Sequence, residues 1–234
     1  MQRLQGSALY ADALVRLGDC MIAKRDLDSA QTLLTGASRD PKAEPKMEEI
    51  QYKLTEIAFF EGNFEAALEG YNRVIADFPK GFYVNNSLER TILIGEHQDL
   101  DRPLLATFAE ALLEKAQGKT ESAISKLDGL ISAKAEKLSD LAQMEKAKIY
   151  KEEKKYSESL KALNKLLEEY PQSFLCPQAQ MMVGDLYNYH LNDRNKAIEA
   201  YQKLLKEYDR SVYVDQVRDR LRELKAEISP PSSG

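Results

Sequence analysis

The sequence predicts an all-α chain of stacked antiparallel helix hairpins, an α–α superhelix, and three observations carry that prediction. Ala, Leu, Glu and Lys, the strong helix formers, dominate 234 residues that hold only 11 Gly and 8 Pro. One phrase recurs, as "DFPKGFYVNNSL" from Asp77, "EYPQSFLCPQAQ" from Glu169 and "EYDRSVYVDQVR" from Glu207, and the last two copies start 38 residues apart. A small residue followed four positions later by a large one also repeats, as Ala30/Leu34, Ala67/Tyr71, Ala123/Leu127, Ser159/Leu163 and Ala197/Tyr201. A fixed period in the tens of residues marks a helical repeat, and small beside large at each crossing lets two helices approach and interdigitate.

The units follow in order. The first, about 8–42, carries Leu14, Leu17, Gly18 and Met21 before Leu27, Ala30, Leu34 and Ala37. The second, about 46–79, turns at Gly62-Asn63, resumes with Phe64, Ala67, Leu68, Tyr71, Val74 and Ile75, and is closed by Pro79. The fourth, about 136–171, repeats this grammar through Ala147, Tyr150, Tyr156, Ser159, Leu163 and Leu166 to Pro171. The fifth, about 174–209, has Gly184, Tyr187, Ala197, Tyr201 and Leu204, with one extra residue around "YHLNDRN".

The third unit, about 82–133, is irregular. Ala67 to Ala123 is 56 residues, too long for one unit and too short for two, and the surplus is a helical stretch at 82–97. The helix that follows, 102–117, pairs either with 82–97 or with 120–133, so an odd helix enters the stack and turns it. A last helix, 211–227, sets Val214, Val217, Leu221 and Leu224 on one face and charges elsewhere, as a cap requires. Residues 1–228 are thus expected to form one solenoid, and 229–234, "SPPSSG", a disordered tail. The recurring phrase is the junction between hairpins. Phe78, Tyr170 and Tyr208 seal the end of a second helix, and Ser173 and Ser211 are expected to cap the next one.

These residues resemble the tetratricopeptide repeat family over about nine-tenths of the chain. The family's tryptophan is absent, and its closing proline is kept only at Pro79 and Pro171, with Pro41 one place early. The resemblance implies that first helices line a concave groove binding peptide segments of partner proteins. Groove positions would be Tyr52, Glu56, Phe59 and Phe60; Met144, Lys148 and Lys151; and Met181, Asp185, Asn188 and Tyr189. The basic clamp that chaperone-binding members use for an acidic C-terminus is not matched.

Charge and composition narrow the function further. The net charge is −5, with 33 basic and 38 acidic residues interleaved, so no basic stripe tracks a phosphate backbone and nucleic acid is not expected. No apolar stretch suits direct membrane insertion, and Asp12, Arg16 and Asp19 interrupt what would have to be the apolar core of a signal peptide around "LGDC". Cys20 and Cys176 are expected to be small buried or half-buried side chains without a mutual bridge, and no cofactor or metal set is expected. His97 and His190 lack partners at ligand spacing, and no phosphate loop or nucleophile triad emerges, so an enzyme is not expected. A non-catalytic protein-binding scaffold is the leading expectation. Self-assembly through exposed end repeats, or an auxiliary domain of a larger protein, are the alternatives. The "YPQS" junction resembles bacterial members that serve envelope assembly, which favours a periplasmic or envelope-associated location, with the cytoplasm as the other case.

Overall fold

The computed structural model describes residues 8–97, 101–133 and 138–228. Among these residues there are twelve α-helices and no strand. They are α1 (Ala8–Ala23), α2 (Leu27–Ser38), α3 (Met47–Phe60), α4 (Phe64–Asp77), α5 (Val84–His97), α6 (Arg102–Ala116), α7 (Thr120–Ser132), α8 (Ser139–Glu152), α9 (Tyr156–Glu169), α10 (Cys176–Asp185), α11 (Arg194–Glu207) and α12 (Val214–Ile228). A short 3₁₀ helix, Pro41–Lys46, joins α2 to α3. The tail at 229–234 and the start of the fourth unit lie outside the described residues. The described helices fall into two compact units, divided within α7 after Lys126.

The small-then-large rule places the core. All ten residues of the five pairs, from Ala30/Leu34 to Ala197/Tyr201, are fully buried. Ser159 adds a hydrogen bond, donating through Oγ to the Ala147 carbonyl on the facing helix at 2.8 Å. In the first unit Ala11, Val15, Leu34, Ile50 and Ile57 form one cluster, joined by Leu113 of α6. In the second, α12 closes the stack by laying Val214, Val217, Leu221 and Leu224 against Tyr201 and Leu204.

The hairpin turns share one backbone device. Arg25, Gly62, Gly118, Lys154 and Asn192 all have φ between 52° and 74°, the left-handed conformation that reverses the chain after a first helix. Only two of the five are glycine, so three L residues carry the cost. The next residue caps the second helix: Asp26, Asn63 and Asp193 accept from the backbone N–H three positions on, whereas Lys155 makes no such bond.

The recurring phrase is also one structure written three times. Phe78, Tyr170 and Tyr208 end α4, α9 and α11 as the C-cap residue. Their carbonyls accept from Gly81, Ser173 and Ser211 at 2.8, 2.9 and 3.0 Å. Ser173 and Ser211 do not sit at the helix start itself. Their hydroxyls accept the Leu175 and Tyr213 N–H groups in the turn leading into α10 and α12. Each junction hooks back to the preceding first helix where a carboxylate is in place: Glu48 accepts from the Tyr83 N–H, and Asp140 from the Ser173 hydroxyl.

Helix α6 answers the question left by the irregular unit. It packs on α1, α3 and α5, and the left-handed Gly118 turns it into α7, whose Lys126 pairs with Glu114. Arg25 of α1 grips Glu110 through both guanidinium nitrogens, at 2.8 and 3.1 Å. Arg90 of α5 lies over the rings of both Phe59 and Phe108. Arg102 pairs with Glu65 at 2.6 Å and stands over the Phe64 ring.

The cysteines depart from expectation in one respect. Cys176 is buried but Cys20 is exposed, because no described element covers that side of α1. Both are free thiols.

Candidate functional site

First helices supply the face on which partners were expected, and the structure sorts the expected residues by whether that face is open. In the first unit it is not. Phe59 is fully buried between α3, Phe64 and Arg90, and cannot offer a free surface. Phe60 is half-buried against the cluster that holds Leu113. Tyr52 is buried and stacks on Tyr83, with ring centroids 4.4 Å apart and planes 19° from parallel. Helix α6 packs on α3 beside Phe59, and Arg90 lies over the Phe59 and Phe108 rings.

Glu56 and Asp185, expected to face ligand, are instead spent on the chain's own groups. Glu56 accepts from the Tyr71 hydroxyl and pairs with Arg90 at 3.3 Å. Asp185 accepts from the Tyr201 hydroxyl at 2.7 Å and pairs with Arg220. Both are the same device: a carboxylate on a first helix, a tyrosine on its partner helix, and an arginine on the next first helix 34 or 35 residues on. Asp19 and Lys53 repeat the ionic half of it. Burial, and then the nearby carboxylate, pushes the Tyr71 and Tyr201 hydroxyls far above the ordinary phenol range, so both remain protonated donors.

The fourth unit breaks this pattern at every position. By register, Lys148 stands where Glu56 and Asp185 stand, Leu163 where the tyrosines stand, and Met182 where the arginines stand. Lys148 is held by Glu145 of its own helix at 2.7 Å. Between α8 and the end of the next first helix lies an open cavity of about 350 Å³ lined by Lys148, Lys151, Glu152, Met182 and His190. Met144, expected here, is buried, because every residue from 138 to 145 is buried where α8 enters the core.

The extra residue of the fifth unit lies at this cavity. Residues Leu186–His190 form a single wide π turn, in which the Leu191 N–H donates to the Leu186 carbonyl at 3.0 Å. The turn absorbs the insertion without breaking the helix, and such turns concentrate at functional sites. It lays His190 flat on Tyr156, centroids 4.4 Å apart and planes 14° from parallel, and leaves Tyr189 55% exposed. Asn188 is half-buried in the turn, and Met181 packs half-buried against the α11–α12 core.

Lys148 and Lys151 are thus brought to the cavity, and Asn188 and Tyr189 lie in the turn that ends at His190. Sequence reasoning missed Arg90, Arg220 and Met182, and read His190 only as a histidine without ligand partners. A carboxylate followed by a base 34 or 35 positions on was the available signal for the first two, and its interruption at Lys148/Met182 was the signal for the cavity.

The architecture is a helical-hairpin repeat with the small-large crossings and junction turns in register. The chain belongs to the tetratricopeptide repeat-like domain family, whose model matches residues 88–226, and a tetratricopeptide repeat model matches 49–81. No curated protein sequence matches it. Among solved structures, a tetratricopeptide repeat protein from Parabacteroides merdae is 19% identical, with 92% of this chain and 73% of that chain covered and a TM-score of 0.42. PilW, a type IV pilus biogenesis factor, is 14% identical over 90% and 99% of the two chains, at 0.43. MamA from Desulfovibrio magneticus is 14% identical over 86% and 97%, at 0.39. Likenesses at this level do not extend to function.

Proposed function

We propose that this protein is a non-catalytic scaffold that binds segments of partner proteins on the first-helix face of its second unit, at α8 and the π turn. One observation carries the reading: the corresponding face of the first unit already holds a segment, the chain's own α6. Such a face buries apolar side chains and matches charges at its edge, which is what recognition of a partner segment requires. The family supports the same reading, since its first-helix faces bind partner proteins. The resemblance of the "YPQS" junction to envelope-assembly members extends the proposal to a role in bacterial envelope assembly.

The test is a pull-down with wild type beside Phe60→Ala, Asn188→Ala and, on α9, Lys161→Glu, each first shown to melt cooperatively. Asn188→Ala is expected to lose the partner, while Phe60→Ala and Lys161→Glu retain it. Loss with Lys161→Glu and retention with Asn188→Ala would move binding off this face and end the proposal.

A second reading, self-assembly, is favoured by one feature of α1. Leu9 and Leu17 are 65% and 40% exposed, and with Ala13 and Cys20 they form an apolar stripe on the terminal helix. Light scattering across a concentration series decides it: a mass that doubles with concentration, and stays monomeric in Leu9→Asp, supports self-assembly.

A further inference from the structure

The register of the repeats shows where the second unit departs from its own rule, and the first unit shows what such a face accepts. We infer that the cavity between α8 and the π turn receives an amphipathic helix of a partner protein, one apolar side chain entering over Met182 and a carboxylate reaching Lys151. This rests on the reading that the first-helix face of the second unit binds partners, and it specifies the chemistry of what is bound.

Three observations converge on it. First, where a first helix carries a carboxylate at this position, at Asp19, Glu56 and Asp185, the space is filled from within. Arg90 and Arg220 reach back to Glu56 and Asp185, closing the space between consecutive first helices. Met182 cannot reach a carboxylate, and Lys148 faces it in place of one, so the space stays open as the cavity of about 350 Å³. Its floor is Met182, 8% exposed, and the aliphatic stems of Lys148 and Lys151 form its wall. A flexible thioether and lysine stems are suited to packing around an inserted apolar side chain.

Second, the charges at the rim are not equivalent. Lys148 is engaged by Glu145 at 2.7 Å. Lys151, which also lines the cavity, has no ion-pair partner among the described residues, although it is only half-exposed. It occupies the position that Phe59 holds in the second repeat, beneath Arg90, and Asn188 in the fifth. A cation replaces the apolar residue there, at the mouth of an apolar cavity. Glu152 on the same rim disfavours a second carboxylate, so the ligand presents one, not a run of them.

Third, the first unit contains the bound form of such a ligand. Helix α6 lies on α1, α3 and α5, with Leu113 in the core cluster of α1, α2 and α3 and Phe108 buried beneath Arg90. Its Glu110 is gripped by Arg25 at the edge. An apolar anchor and a carboxylate on one helix, docked across first helices, is therefore a solution this chain already uses. The π turn adds the opening: it carries the inserted residue, holds His190 against Tyr156 and leaves Tyr189 exposed beside the mouth.

The test uses the full chain and labelled alanine-based helical peptides bearing one leucine and, four residues on, one glutamate. Wild type is expected to bind this peptide, and to bind versions with glutamine for glutamate, or alanine for leucine, about tenfold more weakly. Lys151→Glu is expected to lose the glutamate peptide and gain the matching lysine peptide. Lys151→Met, which keeps the stem and removes the charge, is expected to bind glutamate and glutamine peptides alike, and both variants to melt as wild type does. Equal affinity for the charged and uncharged peptides in wild type, or no response to Lys151→Glu, overturns the inference. So does failure of every helical peptide to bind, or displacement of the bound peptide by a single-stranded oligonucleotide that prefers wild type to Lys151→Glu. If a captured partner is nonetheless lost in Asn188→Ala, the binding face stands and only its specificity for this helix falls; if Asn188→Ala retains that partner, the face itself falls.

Discussion

Arg25, the left-handed residue of the first hairpin turn, holds Glu110 of α6 through a two-pronged ion pair at 2.8 and 3.1 Å. The contact joins residues 85 positions apart and fixes one edge of the helix that covers the first unit. The pair is partly exposed, so it contributes at most about 1 kcal/mol and sets orientation more than stability.

The holding energy lies in Leu113, 1% exposed in the core cluster of α1, α2 and α3. Leu113→Ala removes buried methyl groups and leaves a cavity, and is expected to cost about 2–5 kcal/mol in urea denaturation. A change below about 1 kcal/mol would mean that α6 rests on the first unit without being part of its core.

The small-large pairs were legible because crossing geometry demands them locally: Ala67 and Tyr71, or Ala197 and Tyr201, announce their burial through spacing alone. The junction phrase was legible for the same reason, since a capping aromatic and a turn serine each act within a few residues. What α6 does was not. Leu104, Phe108 and Ala111 read equally well as the apolar stripe of a hairpin partner, and nothing local says that the helix docks on α1 and α3. Glu56 and Asp185 were recognised as lying on the first-helix face, but their arginines are 34 and 35 residues away, and the tie appears only when repeats are set in register.

Lys154 has φ of 60° at the turn where Gly62 and Gly118 serve elsewhere. Lys154→Gly relieves the clash between Cβ and the backbone, and is expected to raise stability by about 0.5–1 kcal/mol despite the added freedom of the unfolded chain. Gly62→Val does the reverse and lowers the melting temperature. A destabilised Lys154→Gly would show that the lysine side chain does more there than tolerate the turn.

Gly184 faces the ring of Tyr201 so closely that an added Cβ would overlap it. The ring is fully buried and its hydroxyl is committed to Asp185, so it cannot yield. Gly184→Ala and Ala67→Leu are each expected to cost about 1–3 kcal/mol by overpacking a helix crossing. An unchanged urea midpoint for either would contradict the register assigned to that repeat.

The two thiols should separate under alkylation in native buffer. Cys20 is exposed on α1, whereas Cys176 is 1% exposed, its thiol pushed up by burial. One rapid modification at Cys20, with Cys176 reacting only on denaturation, is the expected mass-spectrometric result. Early labelling of Cys176 would mean that the α9–α10 junction opens readily.

In the proposed binding mode α6 occupies the helix face of the first unit, and the face of the second unit is open for a partner. Hydrogen exchange of the full chain, with and without the partner captured by wild type, tests it most directly. Slower exchange on binding is expected at 148–152 and 186–190, with 52–60 unchanged and already protected in the free protein. Slowing confined to 52–60, or displacement of α6 seen as faster exchange at 102–116, would contradict it.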